Sequence, residues 1–208
     1  MELEVTSPRP VADVALELEK RFGCMVSYED VPYYHPNDIA QDEEGRTIPR
    51  GGRLLVKYQT GDDVRDIIAR TLAAHAASGY PGVFAWEKCS SGYCILPSSF
   101  RNSAGDLQER LPLLNTKISI PAKKRTGLQL VEDVLQALST ARRESTVAGT
   151  FPINAFVQHV GVSEAFNVKV RDILLDLFRD IGLPLSWQIL NDPGEAKFYL
   201  NIHQLPKK

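Results

Sequence analysis

Two of the three cysteines, Cys89 and Cys94, have the spacing that most directly suggests chemistry. They flank the segment 90–93, and the apolar runs on either side predict a β-hairpin with this segment as its turn. Directly opposed residues of an antiparallel pair have Cα atoms about 4.5–5.5 Å apart, which is within the range of a disulfide. The spacing is therefore compatible with a disulfide, with two reduced thiols, or with a metal site that also uses Cys24.

The rest of the sequence shows no recognisable set of catalytic or metal-binding residues. Its four histidines, His35, His75, His159 and His203, are spread along the chain, and no two are spaced to share a helix face. Neither a G-x-S-x-G nucleophile elbow nor a glycine-rich phosphate loop occurs. We therefore predict no catalytic residue, no metal site and no cofactor. A triad assembled from residues distant in sequence stays open as an alternative.

The segment 31–52 is the strongest candidate for a binding function. It has no counterpart of similar length in the second half of the chain, and insertions on a repeated scaffold often carry specificity. It contains Tyr33, Tyr34, His35 and Arg50, and adjacent tyrosines offer a large contact area at low entropic cost. We predict that these four residues form a recognition surface. The alternative is a surface loop that folds its own tyrosines over the sheet.

The composition is that of an ordinary globular protein. The 208 residues carry a formal net charge of −2, and 43% of them are hydrophobic. Nucleic acid is not an expected partner, because domains that bind it usually have a basic excess. No apolar run reaches the ~20 residues of a membrane span. The chain opens in strand-like alternation, which indicates either a cytoplasmic protein or an exported one whose signal peptide is not part of this sequence.

The elements that must position these residues follow from the apolar pattern. Val11, Val14 and Leu18 recur at helical spacing, and Gly23 ends that helix. Strands are predicted before and after it, and a second helix leads into the cysteine hairpin. Each half of the chain reads β-α-β-β-α-β-β, an α+β fold in which helices pack on small mixed sheets.

The order of elements indicates a duplicated domain. The segments 64–67 and 170–173 both read V-R-D-I, and each leads into a helix and then a strand centred on Trp86 or Trp187. Asn167 is predicted to cap the later of these two helices. We predict two repeats joined by a linker. The first covers 1–104, a linker covers 105–114, and the second covers 115–208.

The helix and hairpin of the second half carry a family resemblance. Residues 170–187 read V-R-D-I-L-x-x-L, then G-L-x-L-S-W, which resembles the secretin and TonB N-terminal short domain; residues 64–86 fit the same pattern with five extra residues. The whole chain also looks similar to uncharacterised bacterial envelope proteins, on the turn 151–154 and the terminal strand 199–203. The resemblance implies an envelope protein that contacts other proteins, and it carries over no catalytic residue.

Three functions compete at this point. The first is an exported, non-enzymatic module that binds another envelope protein, for example by edge-strand pairing. The second is a single-stranded nucleic-acid-binding protein, which would need Trp86, Trp187 and Tyr199 to face the solvent. The third is an enzyme whose site lies between the two repeats, in a cleft lined by titratable groups of both. The sequence does not determine the oligomeric state.

Overall fold

The computed structural model describes residues 1–89 and 92–206 of the chain. The first half contains β1 (Glu2–Ser7), α1 (Pro10–Phe22), β2 (Met25–Glu29), β3 (Ile39–Gln41), β4 (Thr47–Pro49), β5 (Gly52–Lys57), α2 (Val64–Ala77), β6 (Val83–Cys89) and β7 (Gly92–Arg101). The connecting segment contains β8 (Leu107–Glu109). The second half contains β9 (Lys117–Thr126), α3 (Gly127–Arg142), β10 (Ser145–Ala148), α4 (Ile153–Gln158), β11 (Val160–Lys169), α5 (Val170–Ile181), β12 (Leu185–Asp192) and β13 (Lys197–Gln204). The fold class is α+β, as predicted.

One mixed sheet runs through both halves in the order β10-β13-β12-β2-β7-β6, and β8 pairs with the end of β7. The halves meet where β12 lies parallel to β2, with Gln188 opposite Tyr28 and Ile189 opposite Glu29. Each half also forms a separate two-stranded antiparallel ribbon. In the first half β1 pairs with β5, and in the second half β9 pairs with β11. The order of strand pairing is therefore the same in both halves, apart from the short β3–β4 hairpin of the first.

The two halves place their helices on opposite faces of the shared sheet. Side chains alternate between the faces of a strand, and β2 shows this at the junction. Val26 and Tyr28 pack in the core under α1 and α2, whereas Met25 belongs to the core under α3 and α5. Trp187, only 1% exposed, lies in that second core. Each face of the sheet is thus covered mainly by the helices of one half.

Local patterns account for most helix positions. In α1, Val11, Val14 and Leu18 are buried on one stripe, and Gly23 ends the helix in the left-handed region at φ 65°. The predicted cap on Asn167 is wrong. Helix α5 begins at Val170 with no side-chain cap, and Asn167 lies within β11 at φ 54°. Its backbone N–H donates to the Ser119 hydroxyl at 3.1 Å instead.

One predicted segment differs in detail in the structure. The segment 151–154, predicted as a turn, leads into α4. The predicted linker, 105–114, contains β8, which pairs with β7, and its Leu113 and Leu114 are fully buried. In the cysteine hairpin, β7 begins at Gly92, and the predicted turn residues Ser90 and Ser91 lie outside the described residues. None of the described helices combines the length and apolar character needed to cross a membrane.

Candidate functional site

The adjacent tyrosines of the predicted recognition surface point in different directions. Tyr33 is buried, and its hydroxyl donates a short hydrogen bond to Asp30. Tyr34 is 50% exposed and packs edge-on against Phe100 at a ring-centroid distance of 5.6 Å. Tyr33 therefore offers little surface to a partner, because its hydroxyl satisfies a buried carboxylate, and the recognition surface stays a prediction.

The other two residues of that prediction lie apart from the tyrosine pocket. His35 accepts a hydrogen bond at Nδ1 from the backbone N–H of Asn37 at 3.2 Å and so caps a short 3-10 turn. Arg50 is exposed, and its backbone N–H donates to the Asp38 carbonyl at 2.8 Å. The pocket that Tyr33 and Tyr34 line includes neither His35 nor Arg50. The four predicted residues are therefore not gathered into one site.

A buried carboxylate that the sequence analysis missed lies beneath these tyrosines. Asp30 follows β2 and accepts hydrogen bonds from Arg9 Nε at 2.8 Å and from the Tyr28 hydroxyl at 2.8 Å. It also accepts one from the backbone N–H of Asn191 at 3.2 Å, which brings in the second half. Burial, followed by the negative charge of Asp30, holds the pKa of both Tyr28 and Tyr33 well above the usual value. Both hydroxyls therefore donate hydrogen bonds to Asp30. The carboxylate oxygens of Asp30 are occupied by these protein donors and are not available to a ligand.

The neighbouring carboxylate, Glu29, holds the connecting segment. Its two carboxylate oxygens accept hydrogen bonds from the backbone N–H groups of Leu113 and Leu114, the latter at 3.2 Å. Burial raises the pKa of Glu29 to about 7, and these hydrogen bonds act in the opposite direction. Close by, Arg110 forms a two-point ion pair with Glu144 at 2.9 and 3.1 Å. The C-terminal part of the segment between the halves is thus fixed by charged groups.

A third charged contact joins α1 to the last strand. Glu19 is buried, and its Oε2 lies 2.6 Å from Nε2 of His203 on β13. Its other oxygen accepts the backbone N–H of Val26 at 2.9 Å. Glu19, Glu29 and Asp30 therefore occupy the junction of the halves as structural groups. In the sequence, the available signal was the pair of acidic residues, Glu29 and Asp30, at the end of an apolar strand. Buried carboxylates need partners, so this pair could have indicated a buried charged network.

The pocket between the halves is small, and its one carboxylate is already paired. It has a volume of about 140 Å³, and Tyr34, Arg143 and Glu144 contribute to its wall. Glu144 is already bound to Arg110. Among the described residues, no three His, Cys, Asp or Glu side chains are grouped so as to hold a metal ion. This pocket therefore offers no set of free reactive groups.

The ribbon of β9 and β11 has the most unusual surface of the molecule. No residue of β11 is buried, whereas β5, the strand in the same position of the first half, buries Leu54 and Val56. The bulky residues of β11 point outward: Val162 is 75% exposed and Phe166 is 87% exposed. Exposed apolar side chains gathered on one surface are typical of an interaction site.

Two grooves flank this ribbon. The first, of about 370 Å³, lies between β11, the start of α3 and α5, and its wall includes residues 161–165, Asp176 and Asp180. The second, of about 600 Å³, lies between β9 and α3 and includes Ile118, Ile120 and Ala137. The sequence analysis does not single out this region as a binding surface. The alternation of Val160, Gly161, Val162 and Ser163 was the available signal.

The two cysteines of the hairpin are bonded to each other in the structure, with Cα atoms 6.0 Å apart. The predicted geometry is wrong in one respect, because the two residues are not directly opposed. Cys89 pairs with Gly92 and Cys94 pairs with Glu87, so the disulfide crosses the hairpin diagonally. Both cysteines are buried in the core of the second half.

Removal of this disulfide is expected to lower the free energy of unfolding by about 2 kcal/mol, because it closes only a short loop. The comparison is urea unfolding of the oxidised parent with that of a Cys89→Ser, Cys94→Ser variant. Addition of a reducing agent should lower the stability of the parent to a similar extent and leave the variant unchanged. A parent that is unaffected by reduction would show that the thiols are not bridged in solution.

A second expectation concerns His75, which is buried on α2 against the rings of Tyr80 and Phe84. Burial lowers the pKa of His75 to about 4, below its unfolded value of 6.5. The unfolded chain therefore takes up a proton first, and stability falls as the pH drops from 6.5 to 4. A His75→Leu variant should lose about 2–3 kcal/mol less than the parent over this range. Equal acid sensitivity of the two proteins in urea titrations would contradict this.

The chain was also compared with known proteins. No protein-family model, no curated protein and no solved structure was found to match it.

Proposed function

We propose that this protein is a non-enzymatic module that is exported to the cell envelope and binds another envelope protein through the β9–β11 ribbon. The single observation that carries the proposal is the outward face of β11, where Phe166 is 87% exposed and Val162 is 75% exposed. A lone exposed apolar residue is ordinary, but a row of them on a strand with an unpaired edge is typical of a protein-binding surface.

Two further features support this function. The charged groups of the junction between the halves are engaged in fixing the structure, as Asp30 and Glu29 illustrate. The common order of strand pairing supports a duplicated unit of the kind that the resemblance to the secretin and TonB N-terminal short domain implies. Export is proposed on that resemblance and on the bonded cysteines, since disulfides persist in oxidising compartments.

The burial of the aromatic rings argues against the nucleic-acid alternative. Stacking on bases needs aromatic rings that face the solvent, and Trp187 is only 1% exposed in the core of the second half. Trp86 packs edge-on against Tyr93 at a centroid distance of 5.8 Å. Both tryptophan rings therefore pack against other side chains of the protein.

The proposal is tested by site-specific photo-cross-linking in cells that express the native gene product. A photoreactive phenylalanine analogue at Phe166 should capture one defined protein, identified by mass spectrometry and then bound again in purified form. The same analogue at Leu55, on the equivalent ribbon of the first half, is the matched control and should not capture that protein. Identical products at the two positions, or none at Phe166, would overturn the proposed binding surface.

Export is tested separately by cell fractionation with mapping of the thiols by mass spectrometry under non-reducing conditions. We expect the protein in the envelope fraction with Cys89 and Cys94 bridged. A cytosolic protein whose cysteines are all reduced would refute export and reopen the enzyme alternative.

A further inference from the structure

We propose that the cleft between β11 and α5 binds an extended, basic peptide segment of the partner protein, which adds to β11 as a further strand. This inference rests on the proposed function and specifies the site and the chemistry of the partner. The cleft has a volume of about 370 Å³, large enough to take several side chains.

The shape of the cleft results from the residues on the inward face of β11. Gly161, Ser163 and Ala165 alternate with the exposed bulky residues and point toward α5, where β5 of the first half instead carries Leu54 and Val56. Small residues at these positions leave a space over the apolar side chains of the helix. That space suits a large apolar side chain supplied by the partner.

The backbone of β11 also borders the cleft. Five consecutive residues, 161–165, line it, so both their side chains and the main chain between them are in contact with the empty space. Within the part of the chain that the structure describes, β11 pairs with β9 alone. Its other edge therefore presents backbone donors and acceptors without a strand partner, which is the requirement for strand addition.

The charges of the cleft select a basic partner. Glu164, Asp176 and Asp180 contribute three carboxylates, and neither Glu164 nor Asp180 forms an ion pair with any described residue. The one arginine in the wall, Arg125, is buried and bound to Asp133, so it does not neutralise them. The hydroxyl of Ser163 is buried there without a hydrogen-bond partner among the described residues. Lysine or arginine side chains beside an apolar one match this arrangement.

The test is a selection of phage-displayed random peptides of about ten residues, the length of a long strand, on the intact protein. Clones that also bind an Ala165→Phe variant, in which the cleft is filled, are removed by counter-selection. The remaining peptides are expected to be rich in lysine or arginine and to alternate these with apolar residues. Peptides that are predominantly acidic, that show helical spacing, or that do not distinguish the two proteins would overturn the inference.

Selected peptides are then synthesised and titrated by fluorescence polarisation. Ala165→Phe should weaken binding at least about tenfold, and Asp176→Asn combined with Asp180→Asn about threefold to tenfold, with the affinity falling as salt increases. Leu55→Thr lies on the equivalent ribbon of the first half and is the matched control, expected to leave the affinity within about twofold. Circular dichroism and thermal melting confirm that each variant is folded, and the double asparagine variant keeps the test valid if Ala165→Phe is unstable.

The outcomes separate this inference from the proposed function. A partner captured at Phe166 whose affinity is unchanged by both cleft variants would leave the protein-binding function intact and refute the cleft as its site. Self-association that Ala165→Phe abolishes, without peptide binding, would show that a second copy of the chain occupies the cleft and would overturn the basic peptide. Loss of the partner in both cleft variants, with Leu55→Thr unaffected, would support the inference.

Discussion

Replacement of Asp30 by alanine is expected to lower the free energy of unfolding by about 3–5 kcal/mol, the largest single effect that the structure indicates. Asp30 is fully buried and is the counterion of Arg9, whose Nε lies 2.8 Å from it. The substitution also leaves the hydroxyls of Tyr28 and Tyr33 without their acceptor. Breaking a buried pair costs far more than a surface pair does, because the remaining charge is only partly solvated.

The matched control is Asp42→Ala on the exposed hairpin of β3 and β4. Asp42 pairs with Arg46 at 2.7 Å, so this substitution also removes a carboxylate from an ion pair. Solvent screens the exposed pair, and the stability should change little. Urea unfolding of both variants measures the difference. Similar losses in the two variants would show that the junction does not depend on the Asp30 network.

Replacement of Glu29 by glutamine is expected to remove one contribution to the pH dependence of the free energy of unfolding. The pKa of Glu29 is raised from 4.5 to about 7 by burial, so the folded state keeps this proton while the unfolded chain releases it. A raised pKa stabilises the fold fully below pH 4.5, and this stability is lost as the pH rises through 7. The parent should therefore lose about 3 kcal/mol relative to the glutamine variant between the two values.

The measurement is the difference in unfolding free energy between parent and variant, taken at intervals across this pH range. Use of a difference cancels the titration of all groups that the two proteins share. The matched control is Glu43→Gln, which makes the same chemical change at an exposed position of the β3–β4 hairpin. A constant difference for Glu29→Gln would mean that Glu29 is ionised in the folded protein.

Glu29 and His75 act in opposite directions. Stability from Glu29 falls as the pH rises toward 7, and stability from His75 falls as the pH drops toward 4. Both effects on the free energy of unfolding occur at mildly acidic pH, and because they have opposite signs they partly cancel in the parent. The stability of the His75→Leu variant should show the pH dependence due to Glu29 alone, and that of the Glu29→Gln variant the pH dependence due to His75 alone. The stability of the double variant should show neither contribution.

The apolar pattern predicted much of the secondary structure because the pattern reflects local geometry. Helix α1 and the hairpin strand β6 lie where periodicity placed them, and Gly23 ends α1 as expected. Asn167 failed as a predicted cap because residues of its type also tolerate the left-handed region. Its position in the irregular pairing of β11 with β9 uses that property.

The candidate site was much less predictable. Tyr33 and Tyr34 are adjacent in sequence, yet one is buried against Asp30 and the other is half exposed. The segment that carries the proposed binding surface, β11, is not singled out by the sequence. Its apolar residues alternate as in an ordinary strand, but here the small residues face inward, which an alternating pattern by itself does not reveal.

The sequence by itself determined the α+β class and the elements of each half, because helix and strand periodicities depend on neighbouring residues. The tertiary structure decided which strand edges meet, and therefore that Asp30 of the first half binds the backbone of Asn191 in the second. It also decided that the outward face of β11 stays uncovered. Such contacts join residues that are far apart in the chain, and their geometry depends on how complete elements pack rather than on any local pattern.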